Sequence, residues 1–230
     1  MHVGMSVIFQ NPGEELPDQQ VYQQDLALAL QAEPLGFDSV WSVEHHFTSY
    51  TMCPDVLQFL TYMAGATESV QLGSMVCVLP WHDPLRVIEQ ISMLDNLSGG
   101  RLILGLGRGT GKVEFDGFQT EMGSARLRFK ESTEMVLNAL ENGYAEYHGE
   151  LLDQPRVDIR PRPVKSMRGR AYAAAVSPDS ARIMAEMGVG IFIVPQKPWK
   201  VVRRELQDYR DIYRDANGEE PPPPMVAGWT

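Results

Sequence analysis

Positive charge is scarce in this chain of 230 residues: 20 Lys and Arg stand against 30 Asp and Glu, a formal net charge of −10. Such a balance lacks the clustered cations that neutralise a run of phosphates. It excludes a broad nucleic-acid interface, though not a local basic pocket for one phosphate. Cysteine is scarcer still. Cys53 and Cys77 stand alone in apolar contexts without CxxC spacing, which argues against a disulfide framework or a zinc site and fits a reducing cytoplasm. No apolar run approaches the ~18 residues of a membrane span. The N-terminal MHVGMSVIFQ also lacks the basic, apolar, then small-residue order of a secretion signal. The expectation is a cytoplasmic protein with neither membrane nor nucleic acid as partner. What is present is an apolar content of 43%, ordinary for a globular protein with a real core.

Short β-rich runs alternate with longer helical patterns. Strands are expected at 3–9, 39–44, 70–79, 102–107, 171–176, 190–194 and 225–229, with helices near 19–33, 54–66, 84–97, 124–142, 178–187 and 199–215. Repeated strand–helix alternation predicts a parallel sheet with helices outside it, and several near-continuous apolar runs suit strands covered on both faces. The stretch YAEYHGELLDQPRVDIRPRPVKSMRGR, 144–170, reads as an extended, proline-punctuated insertion, and GEEPPPP at 218–224 as a loop entering the last strand. Seven strands with helices between them suit a doubly wound sheet or most of a (β/α)8 barrel, which usually takes about 250 residues. The chain stops in or just after the seventh expected strand, so a barrel would lack its eighth strand here. We expect a single domain over 1–230.

Four motifs carry candidate chemistry. In SVWSVEHHFTSY, 39–50, strand alternation puts Trp41, Val43 and His45 on one face and Glu44 and His46 on the other. Two adjacent histidines on extended backbone cannot readily grip one metal, HExxH spacing is absent, and no metal is expected. His45 is either a proton-transfer residue at a sheet's C-terminal mouth or a polar strand end satisfied by backbone. LILGLGRGTG, 102–111, fails the GxGxxG template at Thr110 and the Walker template at Leu106 and Val113. Alternation instead sets Leu102, Leu104 and Leu106 on one face and Gly105 and Gly107 on the other. That leaves room for a flat ring with Arg108 beside it, or simply tight packing and a solvated Arg. AVSPDSAR, 175–182, offers Ser177 as an N-cap with Pro178 at the first helical position. Its hydroxyls, with Ser180, suit phosphate binding or plain capping, while Asp179 repels an anion. Arg126 stands as a second cation, with Arg128 and Lys130 read as solvated helix charges. His82, Asp83 and Arg86 suit catalysis or loop-end and capping duty.

Taken together, GFDSVWSVEHHFT, VLPWHDPLRVIEQISMLDNLSGGRLILGLGRG and VSPDSARIMAEMG resemble, in order along nearly the whole chain, the bacterial luciferase-like, flavin-dependent monooxygenases. The resemblance implies an α/β fold of TIM (β/α)8 type binding FMN at the C-terminal mouth. It implies reduced FMN supplied by a separate flavin reductase, and incorporation of one oxygen of O2 into a small apolar substrate, an aldehyde being one candidate, in the manner of enzymes on paired donors. By position, His45 matches the family's catalytic base. Arg108, Arg126, Ser177 and Ser180 match phosphate contacts, and Met75 and Val76 match a pair with a non-proline cis bond behind the flavin ring. Gly107 and Val176 fall at cofactor-contacting positions where luciferase has a reactive cysteine and an acidic residue, so light emission is not expected. The resemblance further implies a homo- or hetero-dimer. Relatives that use the deazaflavin F420 for hydride transfer, or that bind flavin without known turnover, remain alternatives.

Overall fold

A computed structural model describes residues 1–174, 178–194 and 196–226. The chain divides into two compact units, Met1–Ser166 and Met167–Thr230. In the first unit, β1 (Gly4–Ser6), β2 (Ser39–Ser42), β3 (Gln71–Ser74) and β5 (Leu102–Gly107) pair in that order, all parallel, and the two-residue β4 (Cys77–Val78) also pairs with β5. Between them run α1 (Asp18–Ala29), α2 (Val56–Ala66) and α3 (Pro84–Leu97), followed by α4 (Lys112–Gly117) and α5 (Ala125–Asn142). In the second unit β8 (Ala171–Ala174), β9 (Gly190–Ile193) and β10 (Met225–Val226) are parallel, with α6 (Pro178–Glu186) and α7 (Trp199–Asn217).

The strands fall where apolar runs were expected but are shorter, for local reasons. The Val7 N–H still bonds Trp41 O at 3.0 Å; the chain then leaves the ladder, and the Phe9 N–H turns to the Asp25 carboxylate at 2.7 Å. The expected strand 70–79 divides into β3 and β4 at a cis peptide between Met75 and Val76. At that break the Ser74 hydroxyl replaces ladder bonds, donating to the Gly105 carbonyl at 2.9 Å and accepting from its N–H at 2.8 Å. The β2 ring of Trp41 lies flat across two neighbouring strands: a Cβ built on Gly4 or Gly73 would come within 2.4 and 2.1 Å of its indole. Sequence alternation puts Ser39 on the same face, and its hydroxyl accepts from Trp41 Nε1 at 2.6 Å.

Helix ends follow their caps. Asp55 accepts from the Gln58 N–H to start α2, and Asp83 accepts from the Leu85 and Arg86 N–H groups with Pro84 in the first turn of α3. Arg101, just before β5, spends its guanidinium on Ser98 O, Thr67 Oγ1, Val70 O, Ala64 O and Thr67 O, all at 2.9–3.1 Å. This ties the end of α2 to the turn after α3. In the second unit, α7 buries Val202, Leu206, Tyr209 and Tyr213, one stripe at helical spacing. The phenol of Tyr209 donates to Val189 O at 2.7 Å, fastening that stripe beside β9.

The insertion is not merely extended. It forms an antiparallel hairpin of β6 (Tyr144–His148) and β7 (Asp153–Asp158), separate from the parallel sheet. The buried Glu131 carboxylate of α5 accepts from the N–H groups of Glu150, Leu151 and Leu152 at the hairpin tip, at 2.7, 3.0 and 2.9 Å. The buried Asp95 of α3 accepts from Val164 at 2.7 Å farther along. Among the described residues no helix is long and apolar enough to cross a membrane.

Candidate functional site

The segment after β2 separates the two histidines. His45, with 39% of its side chain exposed, holds Glu114 through Nδ1 at 2.7 Å. His46 is buried and turns to Glu44, its Nε2 donating to Oε1 at 3.0 Å. The neighbours therefore reach different carboxylates. Phe47 follows at φ 59°, a left-handed backbone that a bulky side chain rarely adopts. Its ring is packed on those of His46 and Phe118, at 5.7 and 5.1 Å between centroids, which sustains the conformation.

Glu44 is the hub of a buried cluster. Its Oε1 also accepts from His82 Nε2 at 2.6 Å and its Oε2 from the Val78 N–H at 2.8 Å. Glu44, Cys77 and His82 have the donor types and closeness of a metal-ligand set. Both imidazoles, however, aim Nε2 at the same carboxylate oxygen, so the centre of the cluster is that oxygen rather than a space for a cation. Burial disfavours the Glu44 carboxylate, but the hydrogen bonds from His46 and His82 outweigh it and its pKa is lowered. Burial likewise opposes a charged His82, and the Glu44 hydrogen bond and charge outweigh it to raise that pKa. Trp81, Phe115 and Phe118 pack edge and face around His46 and one another at 4.6–5.8 Å.

The glycine-rich end of β5 meets the strand break. Val78 pairs with Gly107, and a Cβ on Gly107 would fall 2.1 Å from Val76 Cγ2. Any side chain at 107 would thus collide with the residue after the cis bond. Arg108 follows, exposed, and Arg126 lies exposed in the first turn of α5. Neither makes an ion pair or hydrogen bond with a described residue. Arg128 departs from its solvated reading, for its Nε is buried without a partner, whereas Lys130 pairs with Glu134 at 3.2 Å. Met75 and Val76 are half-buried. Ser180 lies in the first turn of α6, in the second unit, and Val176 and Ser177 lie outside the described residues. Asp83 caps α3, and Arg86 pairs with Glu89 at the surface at 2.6 Å, so neither is placed for catalysis. The second unit holds a cavity of about 440 Å³ floored by Ile191, Ile193, Val202 and Leu206. None of the expected site residues line it.

Sequence reasoning missed Glu114 and the hub role of Glu44. The only signal for Glu114 was an acidic residue in the first turn of a six-residue helix too short to show periodicity. Carboxylates near histidines in space need not be near in sequence: Glu114 is 69 residues from His45.

Comparison with known proteins places this geometry. The sequence profile described as luciferase-like monooxygenase matches residues 1–228. The alkanal monooxygenase alpha chain of the Kryptophanaron alfredi symbiont is 26% identical over 201 residues, 87% of this chain and 55% of that one. The oxygenase component of a flavin-dependent trigonelline monooxygenase of Acinetobacter baylyi is 25% identical, over 85% of this chain and 54% of its own. The crystal structure of a Streptomyces bottropensis monooxygenase superposes with a TM-score of 0.90 at 31% identity, covering 98% of this chain and 69% of that one. Two structures share the fold alone. One is the oxygenating constituent of a Pseudomonas putida 3,6-diketocamphane monooxygenase in complex with FMN, at 17% identity and TM-score 0.82, covering 98% of this chain and 66% of that one. The other is an F420-dependent tetrahydromethanopterin reductase of Methanopyrus kandleri, at 21% and 0.73, covering 100% and 65%. The chain spans about half the length of the curated relatives it matches. Its parallel-strand α/β fold is of the TIM-barrel type these neighbours share, and with the family profile running along nearly all of it, the chain belongs to the luciferase-like monooxygenase family.

Proposed function

We propose that this chain carries the flavin site of an FMN-dependent monooxygenase acting on paired donors, with reduced FMN and O2 oxygenating a small apolar molecule, of which an aldehyde is the first candidate. The observation that carries the reading is His45, half-exposed and held through Nδ1 by a buried carboxylate. The residues present fit a flavin. Gly107 has no side chain, which lets Val76, the residue after the cis bond, pack directly on the end of β5. Arg108 and Arg126 are exposed cations with no ion pair among the described residues, available to a phosphate. Reduced FMN, when bound, would supply the two electrons with which O2 is divided between product and water.

The protein's share is to bind, orient and move a proton. Arg108 and Arg126 would hold the phosphate through charge-assisted hydrogen bonds, Met75, Val76 and Gly107 would back the ring, and His45 would take and return a proton at Nε2. A separate reductase supplying reduced FMN and a homo- or hetero-dimer belong to the same proposal, the dimer to be read by light scattering.

Fluorescence titration tests the site. Arg108→Ala should weaken FMN by roughly 10–100-fold, the worth of one charge-assisted contact, and riboflavin hardly at all. Equal loss for both ligands would place Arg108 outside phosphate binding. Incorporation of labelled O2 into an aldehyde or ketone panel separates oxygenation from F420-type hydride transfer, which would convert substrate without O2.

A further inference from the structure

Resting on the reading of His45 as the proton-transfer residue, we infer that Glu114 is its positioning residue and that Gly111 reserves the space Glu114 needs. Glu114 is 2% exposed, and Oε1 is 2.7 Å from His45 Nδ1. An ionised carboxylate only accepts hydrogen bonds, so with neutral His45 the shared proton is on Nδ1 and the lone pair is on Nε2. Nε2 has no partner among the described residues, and the ring is partly open to solvent. The carboxylate therefore selects the tautomer in which the accessible nitrogen is the base. A free imidazole prefers the opposite tautomer, with its proton on Nε2, which would close the accessible nitrogen to an incoming proton.

Gly111 is part of the device. It precedes α4 at φ −76° and ψ 116°, backbone angles open to any residue, so its lack of a side chain is not a conformational need. A Cβ there would lie 1.5 Å from Glu114 Oε2. Glycine at 111 is thus explained by the carboxylate folded back beside it. The Glu114 backbone N–H bonds the Gly111 carbonyl at 3.2 Å, which keeps the two in register. Orienting an imidazole by a buried carboxylate behind it is a general device, and losing the right tautomer alone can cost orders of magnitude in rate.

The test is nitrogen NMR on the 230-residue chain with 15N-labelled histidine, without flavin, the His45 signals being assigned by their loss in His45→Asn. The wild type should show a pyrrole-type Nδ1 and a pyridine-type Nε2. Glu114→Gln should move His45 towards the Nε2–H form or a mixture. Gly111→Ala, which leaves the carboxylate in place chemically but displaces it, should move it the same way. With the flavin-loaded protein, Glu114→Gln should lower turnover roughly 10²–10⁴-fold at unchanged FMN affinity. An Nε2–H His45 in the wild type, or signals unmoved in both variants, overturns the inference. The NMR outcome decides it independently of chemistry: if His45→Ala leaves turnover intact, the proposed function fails while the tautomer assignment stands on its own spectra.

Discussion

His45 and His46 share a backbone and little else. One ring is 39% exposed, its Nε2 without a partner among the described residues, and the other is buried against Glu44, Trp81 and Phe118. Their alanine variants should differ in kind. His45→Ala removes no phosphate contact, so FMN affinity should hold while single-turnover oxygenation falls roughly 10²–10⁴-fold. His46→Ala leaves a cavity and takes one donor from a buried carboxylate, so it should cost about 2–4 kcal/mol in urea unfolding. A stable, inactive His46 variant beside an active His45 variant would reverse the assignment. The two thiols invite a second measurement. Burial, with the nearby charges of Glu44 and Asp55, pushes Cys53 up to about 11 against the Ser42 hydrogen bond. Burial likewise holds Cys77 well above the usual thiol range. Neither should react with an aromatic disulfide reagent near pH 7.5 until urea is added, because the thiolate is the nucleophile. Prompt reaction in the native protein would contradict this.

At the scale of elements, charged side chains do the joining that short strands cannot. Arg101 binds four carbonyls and one hydroxyl around the α2 end. A lysine has three donors on one atom and cannot span that fork, so Arg101→Lys should cost about 2–4 kcal/mol, more than most surface exchanges. Chemical denaturation checks it, and a loss under roughly 0.5 kcal/mol, the range of ordinary surface substitutions, would mean the fork adds little. Glu131 plays a similar part for the hairpin, accepting three consecutive N–H groups of its tip. Burial disfavours its charge, yet those bonds win and its pKa is lowered.

For the whole molecule, the Glu44–His82 pair predicts how stability follows pH. The pKa of His82 is raised above its ordinary 6.5, so its contribution is complete below 6.5 and lost as pH rises through the folded value. The pKa of Glu44 is lowered from 4.5, so its contribution is present above 4.5 and lost as pH falls through the folded value. The pair therefore stabilises most between 4.5 and 6.5. The wild type minus His82→Gln difference in unfolding free energy should peak in that window and shrink towards pH 8. A difference that grows above pH 7 would show the imidazole buried neutral instead. Other groups add their own dependence, which is why the difference rather than the raw curve is the measurement.

Local pattern settled a good part of this protein. Among the described residues, the seven expected strands all appear, one of them divided in two, and six of the seven helices were expected, because burying a periodic apolar face and starting a helix at Asp83 are matters of neighbours in sequence. Alternation predicts opposite faces for His45 and His46; both lie beyond β2, which ends at Ser42, and they bond different carboxylates. Pattern could not find α4, whose six residues complete fewer than two turns, nor the hairpin inside 144–170, whose prolines read as open chain. It could not find the partners of the histidines either. Glu114 reaches His45 across 69 residues and Glu44 reaches His82 across 38, and only a folded sheet brings such groups within 3 Å. A one-dimensional pattern states which side chains must leave water. Which of them then share a proton is decided by the packing that encloses them.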